Sequence, residues 1–134
     1  MAIVFESLFG KQIPILRMED VVARDEVADI PRIINDHLQH GGVGRIIVDG
    51  RKHLLKVDLR TASAYWNHVL SHVQSGQRIA YVLPPDMPSD RLDIALELAG
   101  RYGHEMRPFD DFDAAASWVT DSGGPSDDSD TLFL

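Results

Sequence analysis

The chain predicts an α/β fold: a small mixed, mostly parallel sheet of about five strands flanked by about four helices. Three observations predict it. Ile46-Ile47-Val48 is an unbroken β-branched run between Gly44 and Gly50, and Ile79-Ala80-Tyr81-Val82-Leu83 is a second apolar run. A strand with one wet face alternates, so unbroken runs read as strands covered on both faces. Between them, Ala62, Tyr65, Trp66, Val69, Leu70 and Val73 recur at helical spacing. Buried strands joined through a helix form a parallel β-α-β unit.

The other elements follow in order. Ile3 to Phe5 suits a first strand, and Ile13 to Met18 returns antiparallel after a turn at Phe9-Gly10-Lys11-Gln12. Pro14 lacks a ladder donor, which places it at the start or edge of that strand. Val27, Ile30, Ile34 and Leu38 mark a helix, with Pro31 either kinking it or lying in its first turn, and Gly41-Gly42 ending it. After the strand at Arg45 to Asp49, residues 50–60 read as a loop with room for a short extended piece, and Thr61 as the cap of the next helix. That helix runs to Ser75-Gly76, and the strand at Arg78 to Leu83 follows. The stiff stretch 84–88 precedes a helix capped by Ser89, with Leu92, Ala95, Leu96 and Ala99 inward. His104 to Phe109 is a last strand. Asp110 or Asp111 caps a final helix burying Phe112, Ala115, Ala116 and Val119, with Trp118 adjoining.

Residues 1–119 therefore read as one domain. Residues 120–134 carry Asp121, Asp127, Asp128 and Asp130 and little apolar content. Such a tail buries too little surface to offset its ordering entropy and is expected to be disordered. Its aspartates could also lie across the basic stretch described below as an internal cover.

Composition excludes several functions. The net charge of −8 opposes nucleic-acid binding, which needs a basic surface. Without cysteine there is no disulfide, thiolate catalysis or Cys-type zinc site. No apolar run approaches a membrane span, and the amino terminus lacks a signal-peptide pattern, so a cytoplasmic protein is expected.

Ligands of open parallel sheets sit beyond the carboxyl ends of the strands, which directs attention to the stretch after Asp49. Arg45, Arg51, Lys52, Lys56 and Arg60 are five of the 13 basic residues and fall within 16 positions, with Leu54 and Leu55 among them. Basic residues around an apolar pair suit an anionic partner surface or the head group of an amphiphile. They equally suit a solvated loop whose leucines close the core. The candidate binding residues are Arg51, Lys52, His53, Leu54, Leu55, Lys56, Arg60 and Trp66. Thr61 and Ser63 are candidate phosphorylation sites near a helix N-terminus, where a phosphate meets the helix dipole. His68 and His72 are spaced i, i+4 without the glutamate of a metalloprotease helix, and read as solvated helix surface. Asp110, Asp111 and Asp113 cluster, but acids at a helix start are explained by the dipole. No G-x-S-x-G elbow exists, and the glycines at 41–44 precede a strand instead of opening a helix. No catalytic residue, metal or cofactor is assigned.

Three stretches resemble the SpoIIAA-like group of the STAS superfamily. These are Ala23-Arg24-Asp25 through Ile30-Pro31, Arg78-Ile79-Ala80-Tyr81-Val82, and Arg107-Pro108-Phe109-Asp110-Asp111 with Ala114-Ala115-Ala116-Ser117-Trp118-Val119. Trp66 also sits where that family commonly has an aromatic. The resemblance spans about residues 10–119. It implies a kinked first helix and a non-catalytic regulatory or adaptor domain that docks a protein partner, here through 50–60 and the helix after it. Some relatives are switched by phosphorylation of a serine beginning that helix, in an Asp-Ser context. Here the nearest hydroxyls are Thr61 and Ser63, in Arg60-Thr-Ala-Ser-Ala. The wider fold group also includes binders of lipophilic or nucleotide ligands, so the alternative is a carrier of an anionic or lipophilic ligand. Such a ligand would lie between 50–60, 84–88 and Trp66.

Overall fold

The computed structural model describes residues 3–7, 13–20, 24–39, 44–53 and 58–120. Its elements are β1 (Ile3–Ser7), β2 (Pro14–Asp20), α1 (Arg24–Gln39), β3 (Arg45–His53), α2 (Leu59–His72), β4 (Arg78–Val82), α3 (Ser89–Arg101), β5 (Glu105–Phe109) and α4 (Phe112–Thr120). The turn expected at 9–12, the helix end at Gly41-Gly42, and the tail from 121 onward lie outside the described residues.

One sheet holds the strands in the order β1-β2-β3-β4-β5. β2 to β5 are parallel, and β1 pairs antiparallel with β2. The two apolar runs are therefore neighbours, Ile46 facing Ile79 and Val48 facing Tyr81 in register. Because the parallel strands succeed one another in one direction, right-handed crossovers put every connecting helix on the same face. α1, α2 and α3 accordingly pack against Leu16, Met18, Ile46, Val48, Ile79 and Tyr81. The opposite face presents Ile13, Ile15, Ile47, Ala80 and Val82 to α4, through Ala115, Ala116 and Val119. This two-sided burial is why Ile46, Ile47 and Val48 cannot alternate with polar residues.

α4 is fixed at both ends by arginine. Asp111 opens it, its carboxylate accepting from the Asp113 N–H at 3.1 Å. Arg17 and Arg51 lie over the Phe112 ring at 5.7 and 4.8 Å. At the far end Arg45 and Arg78 donate to the carbonyls of Val119 and Trp118, where cations favour the helix dipole. Arg78 and Arg107 each lie 4.9 Å from the Trp118 ring.

Several boundaries differ from the sequence expectation. β3 does not stop at Asp49 but continues through Gly50 to His53, so residues 50–53 are strand and not loop. Asp58, not Thr61, caps α2: its carboxylate accepts from the Thr61 N–H at 2.8 Å, which holds the Asp58 carboxyl below its usual pKa. α2 ends at His72, before Ser75-Gly76, and Val73 is its C-cap. Ser89 is the first residue of α3; the cap position is Pro88, which makes no side-chain capping bond. Pro31 lies inside α1, which runs through it as one element. α3 ends where Gly103 takes a φ of +81°. His104 then donates its N–H to the Ala99 carbonyl and Gly103 to that of Gly100, the paired bonds of a Schellman stop.

Candidate functional site

The site is built from the far end of β3. Across β2 and β3, Arg17 pairs with Asp49 but Glu19 pairs with Lys52, two steps on one strand against three on the other. The extra residue in β3 is a bulge. Without it, His53 would share the parity of Asp49 and Arg51 and face α4. With it, His53 joins the face of Ile46 and Val48 and lines the space under α1 and α2. Gly50, just before the bulge, lets the neighbouring strand approach closely: a Cβ there would come within 3.1 Å of both Tyr81 Cε1 and the Val82 carbonyl.

That space is a cavity of about 90 Å³ between the sheet and helices α1, α2 and α3. Its deep end is closed by the buried side chains of Ile30, Ile34, Leu70 and Val73. Half-buried His53, Trp66, Met87 and Arg91 form the end nearest the carboxyl termini of the strands. Trp66 stands edge-to-face on Tyr81, ring centroids 5.3 Å apart. Burial drives the Tyr81 phenol far above its ordinary pKa, so it stays neutral. Burial also lowers the His53 pKa, and the nearby charge of Arg91 lowers it further, leaving a neutral imidazole at pH 7. His53 Nδ1 is buried and has no hydrogen-bond partner among the described residues.

The walls are held by polar ties outside the cavity. Asn35 of α1 donates to the His72 carbonyl at 2.8 Å and accepts from the Gln74 N–H at 2.9 Å, fastening the end of α2. Tyr102 donates its hydroxyl to Asn67 at 2.6 Å, joining the end of α3 to α2. Buried His104 bridges Leu70 and Gln77: Nδ1 accepts from the Gln77 N–H, so Nε2 carries the proton and donates to the Leu70 carbonyl at 2.9 Å.

On the opposite face, Asp49 is 4% exposed beneath Arg51 and Arg17. Arg51 donates from Nε and Nη2 to its two oxygens, both at 2.9 Å, and Arg17 lies 3.5 Å away. Burial alone would raise the Asp49 pKa, but the bonds from Arg51 and the two guanidinium charges together hold it below its usual value.

The sequence-selected residues thus separate. His53 and Trp66 meet at the cavity. Arg51 lies on a strand and not a loop, points to the other face, and holds Asp49 and the Phe112 ring. Lys52 and Arg60 are exposed, and Thr61 and Ser63 are half-buried in the first turns of α2. Leu54, Leu55 and Lys56 lie outside the described residues. His68 is half-buried and stacks on exposed His72 with ring centroids 4.6 Å apart. Among the described residues, no three His, Asp or Glu side chains are grouped to hold a metal ion. No helix of the described residues is long and apolar enough to cross a membrane. Sequence reasoning passed over Arg91 and Tyr81. Arg91 lies in the first turn of α3, just beyond the carboxyl end of β4, and that placement was the available signal. Compared with protein-family models and with curated proteins, the chain matches none.

Proposed function

We propose that this is a non-catalytic, SpoIIAA-like domain of the STAS type whose cavity holds a small apolar ligand. The cavity is the observation that carries the reading. Protein interiors pack like organic crystals and leave few voids larger than a water molecule. At ~24 cal/mol per Å³, an unfilled space of about 90 Å³ costs about 2 kcal/mol, which an apolar guest recovers. The size is of the same order as the ~150 Å³ engineered cavity that takes benzene, so the guest is a short chain or one ring. The end lined by His53 and Arg91 lies at the carboxyl ends of parallel strands, where such sheets place ligands. The element order β-β-α-β-α-β-α-β-α supports the STAS resemblance.

Toluene is the test. At ten times its Kd it should stabilise the protein by about 1.4 kcal/mol in thermal or urea unfolding. Ala62 lines the cavity, and Ala62→Leu should fill much of it, stabilise the ligand-free protein and abolish the toluene effect. Toluene leaving wild-type stability unchanged would sink the reading.

One observation favours a second reading, in which the same end of the molecule docks a protein partner. Leu59 is 40% exposed, beside exposed Arg60. Lys52→Glu with Arg60→Glu should then reduce partner recovery in an affinity pull-down. Equal recovery would remove this surface from consideration.

A further inference from the structure

We propose that His68 and His72 of α2 form a two-imidazole site for a divalent transition-metal ion, with Cu2+ the ion held best. Neither residue lines the cavity, so the site does not depend on what the cavity binds. Residues four apart on a helix stand one above the other. Here the two rings meet, with centroids 4.6 Å apart and planes tilted by 39°. A metal–imidazole bond is about 2.0–2.1 Å long, so one ion between rings this close can take a nitrogen from each.

The hydrogen bonds around the rings leave a lone pair on each. His72 Nδ1 lies 2.8 Å from the His68 carbonyl. A carbonyl only accepts, so Nδ1 carries the proton and Nε2 keeps its lone pair. Ser71 Oγ, 3.1 Å from the same nitrogen, agrees with this, since a hydroxyl also accepts. His68 Nε2 faces the Ala28 carbonyl of α1 at 3.5 Å, which by the same argument leaves the lone pair on Nδ1. Ligating imidazoles commonly donate their other N–H to a carbonyl, which fixes tautomer and ring orientation together. The backbone is held as well, because Asn35 donates to the His72 carbonyl and accepts from the Gln74 N–H. His72 is exposed and His68 half-buried, so an ion arriving from water meets the pair with α2 intact.

The donor set selects the ion. Among the described residues no third His, Asp or Glu joins the pair. Two nitrogens with water in the other positions are not the closed four-ligand shell of structural zinc. They suit a tetragonal ion with nitrogen and oxygen ligands, and Cu2+ heads the affinity order among first-row divalent ions. Mg2+ and Ca2+ prefer oxygen and should not bind here. The bound ion would staple the last turn of α2, next to Val73 at the deep end of the cavity.

Titration of the full chain with Cu2+ at pH 7, followed by calorimetry and by broadening of assigned amide signals, tests the site. The amides around His68 and His72 should broaden first, and Cu2+ should bind more tightly than Ni2+ or Zn2+. His68→Gln and His72→Gln should each weaken this site about tenfold or more, because the second imidazole is a tethered ligand at high effective concentration. A chain carrying both Ser71→His and His72→Ser keeps two imidazoles, breaks the spacing of four, and should bind as weakly as the single variants. His72 is exposed, so the changes there leave the packing in place. Wild type binding Cu2+ no more tightly than the spacing variant would overturn the site. So would a loss confined to one of the two single variants, which marks a lone histidine ligand. First broadening elsewhere in the chain, or tighter binding of Ni2+ or Zn2+, would overturn it too.

Discussion

Arg51 grips Asp49 from two residues along the same strand, through Nε and Nη2 bonds of 2.9 Å to separate carboxylate oxygens. A regular strand puts i and i+2 on one face, and here that face is the one α4 covers. The pair thus joins the centre of the sheet to Phe112, on which Arg51 stacks. Asp49→Asn should cost roughly 1.5–3 kcal/mol at pH 7 in urea unfolding, the range for hydrogen bonds to charged groups. The folded-state pKa of Asp49 lies below its unfolded value, so this contribution is present above about pH 4 and lost as pH falls through the folded value. The gap between wild type and variant should therefore narrow toward pH 3. A constant gap would mean that the charge is not what stabilises the pair.

Gly50 is required for space. Gly50→Ala places a methyl 3.1 Å from Tyr81 Cε1 and from the Val82 carbonyl, and the second is backbone that cannot rotate away. The expected cost is about 1–3 kcal/mol, typical of overpacking. Tyr81 lines the cavity, so displacing its ring should alter toluene binding as well. Unchanged stability would show that the bulge has slack.

His53 should report on pH. Its folded pKa is lowered by burial and by Arg91, so below its unfolded value of about 6.5 the unfolded chain binds the proton more readily. Wild-type stability from this group is full above that pH and falls as pH drops toward the folded value. His53→Gln lacks the effect, so unfolding at pH 8 and pH 5 should show the variant gaining on wild type in acid. A gain of wild type on the variant would reverse the sign and contradict a buried, neutral imidazole.

His104 should be costly to remove. His104→Ala leaves the Leu70 carbonyl and the Gln77 N–H without their imidazole partner in a buried setting. Two such groups cost roughly 2–5 kcal/mol together, measurable as a lower urea midpoint. A cost under roughly 1 kcal/mol would mean that water replaces the ring.

The fold was legible in the sequence where burial leaves a periodic mark. Ile46-Ile47-Val48 and Ile79 to Leu83 marked the central strands because both faces are covered, and the stripe from Ala62 to Val73 marked α2. Gly50-Arg51-Lys52-His53 hid the end of β3, because one glycine and three polar residues look like a loop. Their strand geometry depends on pairing with Glu19 and Asp20, a tertiary fact. Thr61 was mistaken for a cap because Asp58, three positions earlier, competes for the same role and wins through its carboxylate, which accepts from the Thr61 N–H. Arg91 was passed over because a lone arginine in the first turn of a helix leaves no periodic mark. The cavity was not legible, since periodicity says which side chains point inward and not whether they meet.

A crystal structure determined under xenon pressure tests the cavity most directly, since xenon enters dry apolar space without needing a polar contact. Xenon should appear between Val48, Trp66 and Val69 in the wild type and be absent from Ala62→Leu. Side chains from α1 and α2 packed directly onto Val48 and Tyr81, with no xenon between them, would contradict it.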